Sequence, residues 1–421
     1  MLNKFSKYQL VFIHIIIWVG FALVLSQLGI MQFPNNQNLL QWDAGWYFSI
    51  FKNGYEFVEN AQCNIAFFPM FPLFWKFSEL SFMAISLFNI LCFVVGILLL
   101  SRTYNFSNNE LLVALSFPSL FFCYIPYSEA LFFLSVSIFL SGFKKQSNTT
   151  IMLGLLLSGL CRSTSILFFP AFIFIELATV YPENNFKKAI INILQYASVA
   201  IFSLVLVAII QFYYTERWFD FLFVQKLWNK AWQLPKLPLN TWDGSRLLWL
   251  DGTALLFGLM AAFTAAWFII NLFSKKIIVK DKSVLFTIAY LITVVGITLF
   301  YSVTGEYTSI YSLNRYVFAT PFLSVFFVLL SRYSNSNSKV LLYIYSALTI
   351  FTAILFGLIN YVLTLNNLAL EGIGIFAAYA AFNLLLLIKL NNLRYAIFGY
   401  ILNMALQLKL LDWFLNGKWV G

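Results

Sequence analysis

Long apolar runs separated by short polar segments make up most of the chain. The first run covers residues 9–30. The later runs cover residues 81–100, 111–125, 130–143, 151–180, 189–214, 247–273, 284–303, 316–330, 340–360, 369–388 and 395–413. Most of them approach the ~20 apolar residues that a helix needs to cross the hydrocarbon core of a bilayer. The pattern therefore predicts an all-α, polytopic integral membrane protein with about 11–13 transmembrane helices.

The run over residues 151–180 is longer than one span requires. Lysine and arginine gather in cytoplasmic loops, so basic pairs indicate on which side a loop lies. The chain has basic segments at residues 144–145, 187–188 and 275–282. All three lie on the cytoplasmic side only if the run over residues 151–180 crosses the membrane twice. We predict two short helices that turn near Arg162, which gives about thirteen spans. One long tilted helix is the alternative, and it would place Lys187 and Lys188 outside.

The segments between the runs predict one transmembrane domain over residues 1–421, because no repeat, low-complexity tract or soluble domain is found. The first run lacks a small-residue cleavage site, so we interpret it as a span that enters from the cytoplasm. Residues 31–80 are predicted to be a structured first extracytoplasmic loop with short interfacial helices, since their apolar pieces are too short to span. Residues 215–246 are predicted to form the second large extracytoplasmic loop.

Composition narrows the class of protein further. Hydrophobic residues make up 61% of the chain and charged residues 10%, whereas soluble domains average about 45–50% and 25%. A soluble enzyme, a nucleic-acid-binding module and a disordered chain are excluded, so the lipid bilayer is the expected partner and nucleic acid is not. The net charge of +10 indicates topology rather than an acidic ligand.

Ionisable residues near the outer helix ends are the candidates for function, because charges that face lipid are costly. They are Asp43, Glu129, Arg162, Arg246, Asp251, Glu306 and Arg315. The alternative for each is an ion at a helix end that reaches interfacial water. The only histidine, His14, lies in the first run. A metal would therefore have to be held by carboxylates, which favours Mg²⁺ or Mn²⁺, and no cofactor is otherwise indicated.

Asp43 lies among aromatic residues just after the first run, between Trp42 and Trp46. A carboxylate in such a pocket can act as a general base toward a hydroxyl. The alternatives are an N-cap for a following helix and aromatic residues of the interfacial belt. Arg162 and Arg315 can bind phosphate through bidentate hydrogen bonds, or serve as interfacial anchors or ion-pair partners.

Several short motifs follow one another along the chain. They are QWDAGWY at residues 41–47, NGY at 53–55, AFFPMFPL at 66–73, FPS at 117–119, YSEALF at 127–132, GLCRS at 159–163, QKLWN at 225–229 and NRY at 314–316. In this order they resemble the GPI mannosyltransferase II family (PIG-V type), in a bacterial-like form. Gln41 replaces the family's usual Arg and Met70 its usual Leu, and the last spans match no motif.

The resemblance implies a GT-C glycosyltransferase. Such an enzyme moves mannose, or another hexose, from a polyprenyl- or dolichyl-phosphate donor to a hydroxyl of a glycan or glycolipid acceptor by inverting displacement. By position, Asp43 is the implied base. The candidates for substrate binding are Trp42, Trp46, Tyr47, Glu129, Arg162, Gln225, Trp228, Arg315 and Tyr316.

Two other classes of function stay open. The first is a flippase or transporter of lipid-linked sugars, although such proteins usually show inverted repeats. The second is a non-catalytic membrane subunit that binds a lipid-linked sugar. For the enzyme, the motifs favour a bacterial inner membrane with a periplasmic site. A eukaryotic source would place the site in the lumen of the endoplasmic reticulum.

Overall fold

The computed structural model describes residues 5–180, 186–242, 244–274 and 281–421. Its α-helices are α1 (Lys7–Gln27), α2 (Asp43–Asn53), α3 (Met70–Ser78), α4 (Phe82–Thr103), α5 (Asn108–Ser116), α6 (Glu129–Lys145), α7 (Asn148–Cys161), α8 (Phe168–Val180), α9 (Phe186–Thr215), α10 (Asp220–Phe223), α11 (Ser245–Phe273), α12 (Lys282–Phe300), α13 (Leu313–Phe318), α14 (Pro321–Leu355), α15 (Leu358–Leu363), α16 (Asn367–Lys389) and α17 (Leu393–Leu415). Short 3₁₀ helices lie at Asn64–Ala66, Pro118–Cys123, Ser163–Leu167 and Val224–Trp228. Strands β1 (Lys230–Trp232) and β2 (Tyr301–Val303) pair antiparallel.

The helices confirm the predicted all-α, polytopic membrane class. Seven of those described are long and apolar enough to cross a membrane by length and composition: α1, α4, α9, α11, α12, α14 and α16. Several begin where the sequence offers a cap. Ser6 and Gln9 form a capping box on α1, and Ser107 and Glu110 form another on α5. These side chains satisfy backbone N–H groups that a helix start leaves without partners.

Ion pairs between helix ends define one end of the bundle, which we call the basic end. Lys144 Nζ lies 2.5 Å from Asp281 Oδ2, and Lys282 pairs with Glu176. The basic residues described at this end outnumber the acidic ones. They are Lys7, Arg102, Lys144, Lys145, Lys187, Lys188, Lys282, Arg332, Lys339, Lys389 and Arg394, against Glu110, Glu176 and Asp281. The predicted basic segment at Lys275, Lys276 and Lys280 lies outside the described residues. We call the opposite end, which contains Asp43, the site end.

The turn predicted at Arg162 is confirmed. Helix α7 ends at the site end, where Cys161 Sγ donates to the carbonyl oxygen of Ser128 at 3.3 Å. The 3₁₀ helix Ser163–Leu167 then reverses the chain, and α8 returns to the basic end, where Glu176 pairs with Lys282. Between residues 148 and 180 the chain therefore passes twice between the two ends of the bundle.

In two other segments an apolar run does not correspond to one helix. In α14, Asn337 has non-helical φ and ψ of −136° and 42°, so two antiparallel passes meet at the basic end. The run over residues 111–125 is not one α-helix, because α5 ends before Pro118 and a 3₁₀ helix continues from it. Proline has no N–H to donate and its ring clashes with the preceding turn. Counted this way, the described residues pass about thirteen times between the two ends, while seven of the described helices are long and apolar enough to cross a membrane.

Both large loops at the site end are structured. The first contains α2, the 3₁₀ helix Asn64–Ala66 and α3, which confirms the predicted short helices. Asn64 Nδ2 joins the 3₁₀ helix to α2 through hydrogen bonds of 3.0 Å to Ser49 Oγ and to the carbonyl oxygen of Gly54. The second loop contains β1, which pairs with β2 from the loop after α12. The apolar pattern does not predict this short ladder.

Helices α6 and α7 form a tight hairpin that depends on glycine. A Cβ atom at Gly142 would lie 2.6 Å from the backbone nitrogen of Ile151 and 3.0 Å from the carbonyl carbon of Thr150. We expect Gly142→Ala to destabilise the protein by about 1–3 kcal/mol, because backbone must move to admit the methyl group. The apparent midpoint of thermal unfolding in detergent measures this effect. Gly20→Ala is the control, since nothing lies within 4 Å of its Cβ position. Equal midpoints for the two variants would contradict the close packing.

Candidate active site

A buried carboxylate lies at the centre of the site. Glu129 is the first residue of α6, and its side chain is 2% exposed. Arg162 Nη1 and Arg315 Nε both donate to its Oε1 atom. The start of a helix favours a carboxylate, because backbone N–H groups point toward it. Arg162 comes from the break after α7 and Arg315 from the short helix α13, so three distant segments of the chain meet at one oxygen atom.

Asp43 extends this cluster to the accessible side. Its Oδ2 atom accepts a hydrogen bond of 2.6 Å from Arg315 Nη1, and its side chain is 20% exposed. Its backbone N–H donates to the hydroxyl of Tyr127, which donates in turn to the carbonyl oxygen of Gln41. Arg315 therefore bridges two carboxylates, of which Asp43 is the one that solvent or a ligand reaches.

The N-cap alternative for Asp43 is not what the structure shows. Asp43 is the first residue within α2, and Trp42 occupies the N-cap position without a side-chain capping bond. Trp42 has φ 55° and ψ −120°, a conformation that residues with a Cβ rarely adopt. The carboxylate of Asp43 is thus directed to Arg315 instead of to the helix N-terminus.

Aromatic rings enclose both guanidinium groups. Arg315 Cζ lies 4.7 Å from the ring centre of Tyr127 and 5.2 Å from that of Phe122. Arg162 Cζ lies 5.6 Å from the ring centre of Tyr316. Ring faces attract such cations where water is excluded. The ion-pair alternative holds for both arginines in this structure, and their binding of phosphate stays a prediction.

Two groups of aromatic side chains flank Asp43. The first aromatic group consists of Trp46, Phe67 and Trp228, whose ring centres lie 6.1–6.3 Å apart. The second aromatic group consists of Trp42, Trp242, Tyr311 and Trp419. Gln225 is partly exposed and shares the 3₁₀ helix Val224–Trp228 with Trp228. Tyr47 lies beneath the cluster, buried, with its hydroxyl 2.8 Å from Ser128 Oγ.

The remaining candidates lie apart from this cluster. Asp251 is buried and accepts two hydrogen bonds of 2.8 Å from Asn314, one from its backbone and one from its side chain. It therefore holds the residue next to Arg315. Arg246 Cζ lies 4.8 Å from the ring of Trp413, and Glu306 is exposed in a loop. His14 is buried between the hydroxyls of two tyrosines, 3.0 Å from each.

Lys230 is a site residue that the sequence did not indicate. Its Nζ atom lies 5.2 Å from the ring centre of Tyr311 in the second aromatic group. Burial opposes its charge, but Tyr316 and Tyr311 outweigh this effect, so the pKa of Lys230 is raised above its ordinary value. Within the described ranges it forms no ion pair with a carboxylate. The only signal in the sequence is its position two residues after Trp228.

The described side chains do not offer the carboxylate set expected for Mg²⁺ or Mn²⁺. Across residues 5–180, 186–242, 244–274 and 281–421, no three His, Cys, Asp or Glu side chains come together as metal ligands do. The two carboxylates of the site both accept hydrogen bonds from arginine.

Comparisons with known proteins give one structural similarity. The chain matches no protein-family profile and no curated protein sequence. Among solved structures, it is similar to ArnT from Cupriavidus metallidurans, determined with bound undecaprenyl phosphate. The TM-score is 0.46 and the sequence identity 12%, over 96% of this chain and 77% of the ArnT chain.

Proposed function

We propose that the protein is a membrane glycosyltransferase of the GT-C type. It transfers a hexose, mannose by the family resemblance, from a polyprenyl-phosphate donor to a hydroxyl of a glycan or glycolipid acceptor. The observation that carries the proposal is the accessible carboxylate of Asp43, held by Arg315 above the buried carboxylate of Glu129. A base of this kind needs a defined orientation and room for an acceptor on one side only.

The proposed reaction is a single inverting displacement. The acceptor hydroxyl donates a hydrogen bond to Asp43, and its oxygen attacks the anomeric carbon while its proton passes to the carboxylate. The bond between that carbon and the phosphate oxygen breaks, and the oxygen keeps the electron pair. Arg315 holds the carboxylate in place, and Glu129 fixes Arg315 from below. Positioning of this kind supplies part of the rate enhancement.

The two aromatic groups suit a sugar substrate. Ring faces of Trp46 and Trp228 can pack on the apolar faces of a hexose, and both residues are partly exposed beside Asp43. Trp46 lies three residues after Asp43 on α2, so the two side chains lie on one face of that helix. We assign the first aromatic group to binding of the sugar.

The charge distribution supports an extracytoplasmic site. Basic residues outnumber acidic ones at the basic end, which the positive-inside rule assigns to the cytoplasm. The site end then faces the periplasm of a bacterium, or the lumen of the endoplasmic reticulum in a eukaryote. A lipid-linked donor reaches such a site from the bilayer without a nucleotide.

This orientation predicts the outcome of a labelling experiment. The four native cysteines are buried, so single introduced cysteines report topology without further substitutions. We expect Lys226→Cys, exposed at the site end, to react with a membrane-impermeant maleimide in intact right-side-out vesicles. Lys145→Cys, exposed at the basic end, should react only after permeabilisation. The reverse pattern would place the site in the cytoplasm.

The activity itself is tested with purified protein in nanodiscs. We would supply radiolabelled polyprenyl-phosphate mannose, polyprenyl-phosphate glucose or GDP-mannose, each with a crude lipid-glycan extract as the acceptor source. Transfer from polyprenyl-phosphate mannose alone is the expected result. Transfer from GDP-mannose alone would refute the donor class, and transfer of glucose alone would refute the sugar. Donor binding without any transfer would favour a carrier.

A further inference from the structure

We propose that Lys230 binds the phosphate of the lipid-linked donor and stabilises it as it leaves. The inference rests on the proposed function, since it names a residue of the same site. Lys230 then makes the phosphate contact that the sequence favoured for Arg162 and Arg315, because both arginines already pair with carboxylates.

The charges of the cluster around Glu129 compensate one another. Arg162 pairs with Glu129, and Arg315 pairs with both Glu129 and Asp43. Two guanidinium groups thus face two carboxylates, and the cluster is close to neutral. A leaving phosphate gains negative charge as the sugar departs, so it needs a cation that no carboxylate already neutralises. In the described part of the site, Lys230 is such a cation.

Aromatic side chains connect Lys230 to the region of Asp43. Lys230 Nζ lies 5.2 Å from the ring centre of Tyr311, whose ring centre lies 6.4 Å from that of Trp419. Trp419 in turn contacts Trp42, the residue before Asp43, with 4.8 Å between the ring centres. Contacting rings therefore connect the ammonium to the residue that precedes the base. A donor whose sugar lies at Asp43 can place its phosphate toward Lys230.

Backbone pairing holds Lys230 in this position. It pairs with Val303 at the start of the β1–β2 ladder. Next to it, Thr304 N donates to the carbonyl oxygen of Asn229 at 2.9 Å, and Gln233 N donates to that of Phe300 at 2.9 Å. A lysine on a paired strand loses less freedom on binding than one on an open loop, so its contact with an anion is stronger.

The surroundings of the ladder identify the phosphate as that of a lipid. Just after Lys230, the side chains of Trp232 and Leu234 are 72% and 79% exposed, and Leu237 is 56% exposed. Exposed tryptophan and leucine beside a lysine are typical of the membrane interface, where lipid phosphates lie. A free phosphate or a nucleotide-sugar would not need this apolar border.

In the reaction, Lys230 acts without losing its proton. The bond between the anomeric carbon and the phosphate oxygen breaks, and the electron pair stays on that oxygen. The ammonium donates a hydrogen bond to the phosphate before and after this step. The acceptor's proton goes to Asp43. The ammonium thus binds the donor and favours departure of the polyprenyl phosphate.

The test compares Lys230→Gln, Lys230→Met and Lys230→Arg with the control Lys226→Gln. Lys226 lies four residues earlier and is exposed. We would measure binding of undecaprenyl phosphate, of undecaprenol and of inorganic phosphate, together with kcat and KM. The uncharged variants should bind undecaprenyl phosphate about tenfold more weakly or worse, because a charge-assisted hydrogen bond is lost. Lys230→Arg should keep most of the binding, and undecaprenol should bind all variants alike.

The outcomes separate the two proposals. If Lys230→Gln and Lys230→Met, folded by their apparent thermal midpoints, bind undecaprenyl phosphate and turn over like wild type, the inference is wrong while transferase activity stands. If wild type transfers no sugar but binds undecaprenyl phosphate through Lys230, the proposed function is wrong and the phosphate site stands. Equal loss of undecaprenol binding would make Lys230 a structural residue. Binding of inorganic phosphate as tight as that of the lipid would refute the lipid source.

Discussion

Asp43→Asn is expected to lower kcat for sugar transfer by about 10²–10⁴-fold, the usual contribution of a general base. Asparagine has the same shape, and its amide oxygen can still accept the hydrogen bond from Arg315. It cannot accept the proton of the acceptor hydroxyl at neutral pH. Donor binding and the apparent midpoint of thermal unfolding should therefore stay close to wild type, and the loss should fall on kcat.

Asp412→Asn is the matched control for this result. Asp412 also lies at the site end and pairs with a basic residue, with its Oδ2 atom 3.2 Å from Lys409 Nζ. It is not part of the cluster around Glu129, so the control should transfer sugar at the wild-type rate. If Asp43→Asn is as active as Asp412→Asn, Asp43 is a structural partner of Arg315 and the base lies elsewhere. A variant that loses both binding and stability would indicate a folding role.

Glu129→Gln is expected to cause the largest loss of stability, about 3–5 kcal/mol, as happens when one partner of a buried ion pair is removed. Arg162 would then lose the carboxylate it pairs with, and Arg315 would keep its pair with Asp43. The apparent midpoint of thermal unfolding and the yield of monodisperse protein in detergent measure this loss. Asp412→Asn again serves as the control, because a pair with a lysine that is 55% exposed contributes only about 0–1 kcal/mol.

A double variant separates the ion pair from simple packing. Arg162→Gln together with Glu129→Gln removes one charge of each sign from the buried cluster. We expect the double variant to be more stable than the sum of the two single losses predicts, because each single change leaves an unpaired charge. Strict additivity would mean that Glu129 and Arg162 are not coupled.

Much of the fold follows from apolar run length and from the side on which lysines lie. The double crossing between residues 148 and 180 is an example, because only that path places Lys187 with Lys144. The break before Pro118 follows from a local property of proline. The length of the apolar run alone does not predict it. The kink at Asn337 falls in the polar segment between two apolar runs. The division of α14 into two passes is therefore also predictable from the sequence.

The site was predictable as a set of residues but not as a network. The motifs indicate Asp43, Glu129, Arg162 and Arg315 singly, and their charges suggest attraction. That one oxygen atom of Glu129 accepts from both arginines depends on three segments meeting, and no local pattern encodes such a meeting. Lys230 was missed for the same reason, since its place is set by pairing with Val303, seventy-odd positions along the chain.

The backbone of Trp42 implies a compromise between robustness and alignment at the entrance to the site. A residue with a Cβ atom at φ 55° and ψ −120° lies in a sparsely populated region that costs about 1–3 kcal/mol. Glycine would adopt this backbone more easily, but it would lose the ring contact with Trp419 at 4.8 Å between centres. The backbone is strained immediately before Asp43. The packing of Trp42 against Trp419 keeps it in this conformation. A substitution of Trp42 that relieved this strain would stabilise the protein, but it would hold the carboxylate of Asp43 less firmly in place.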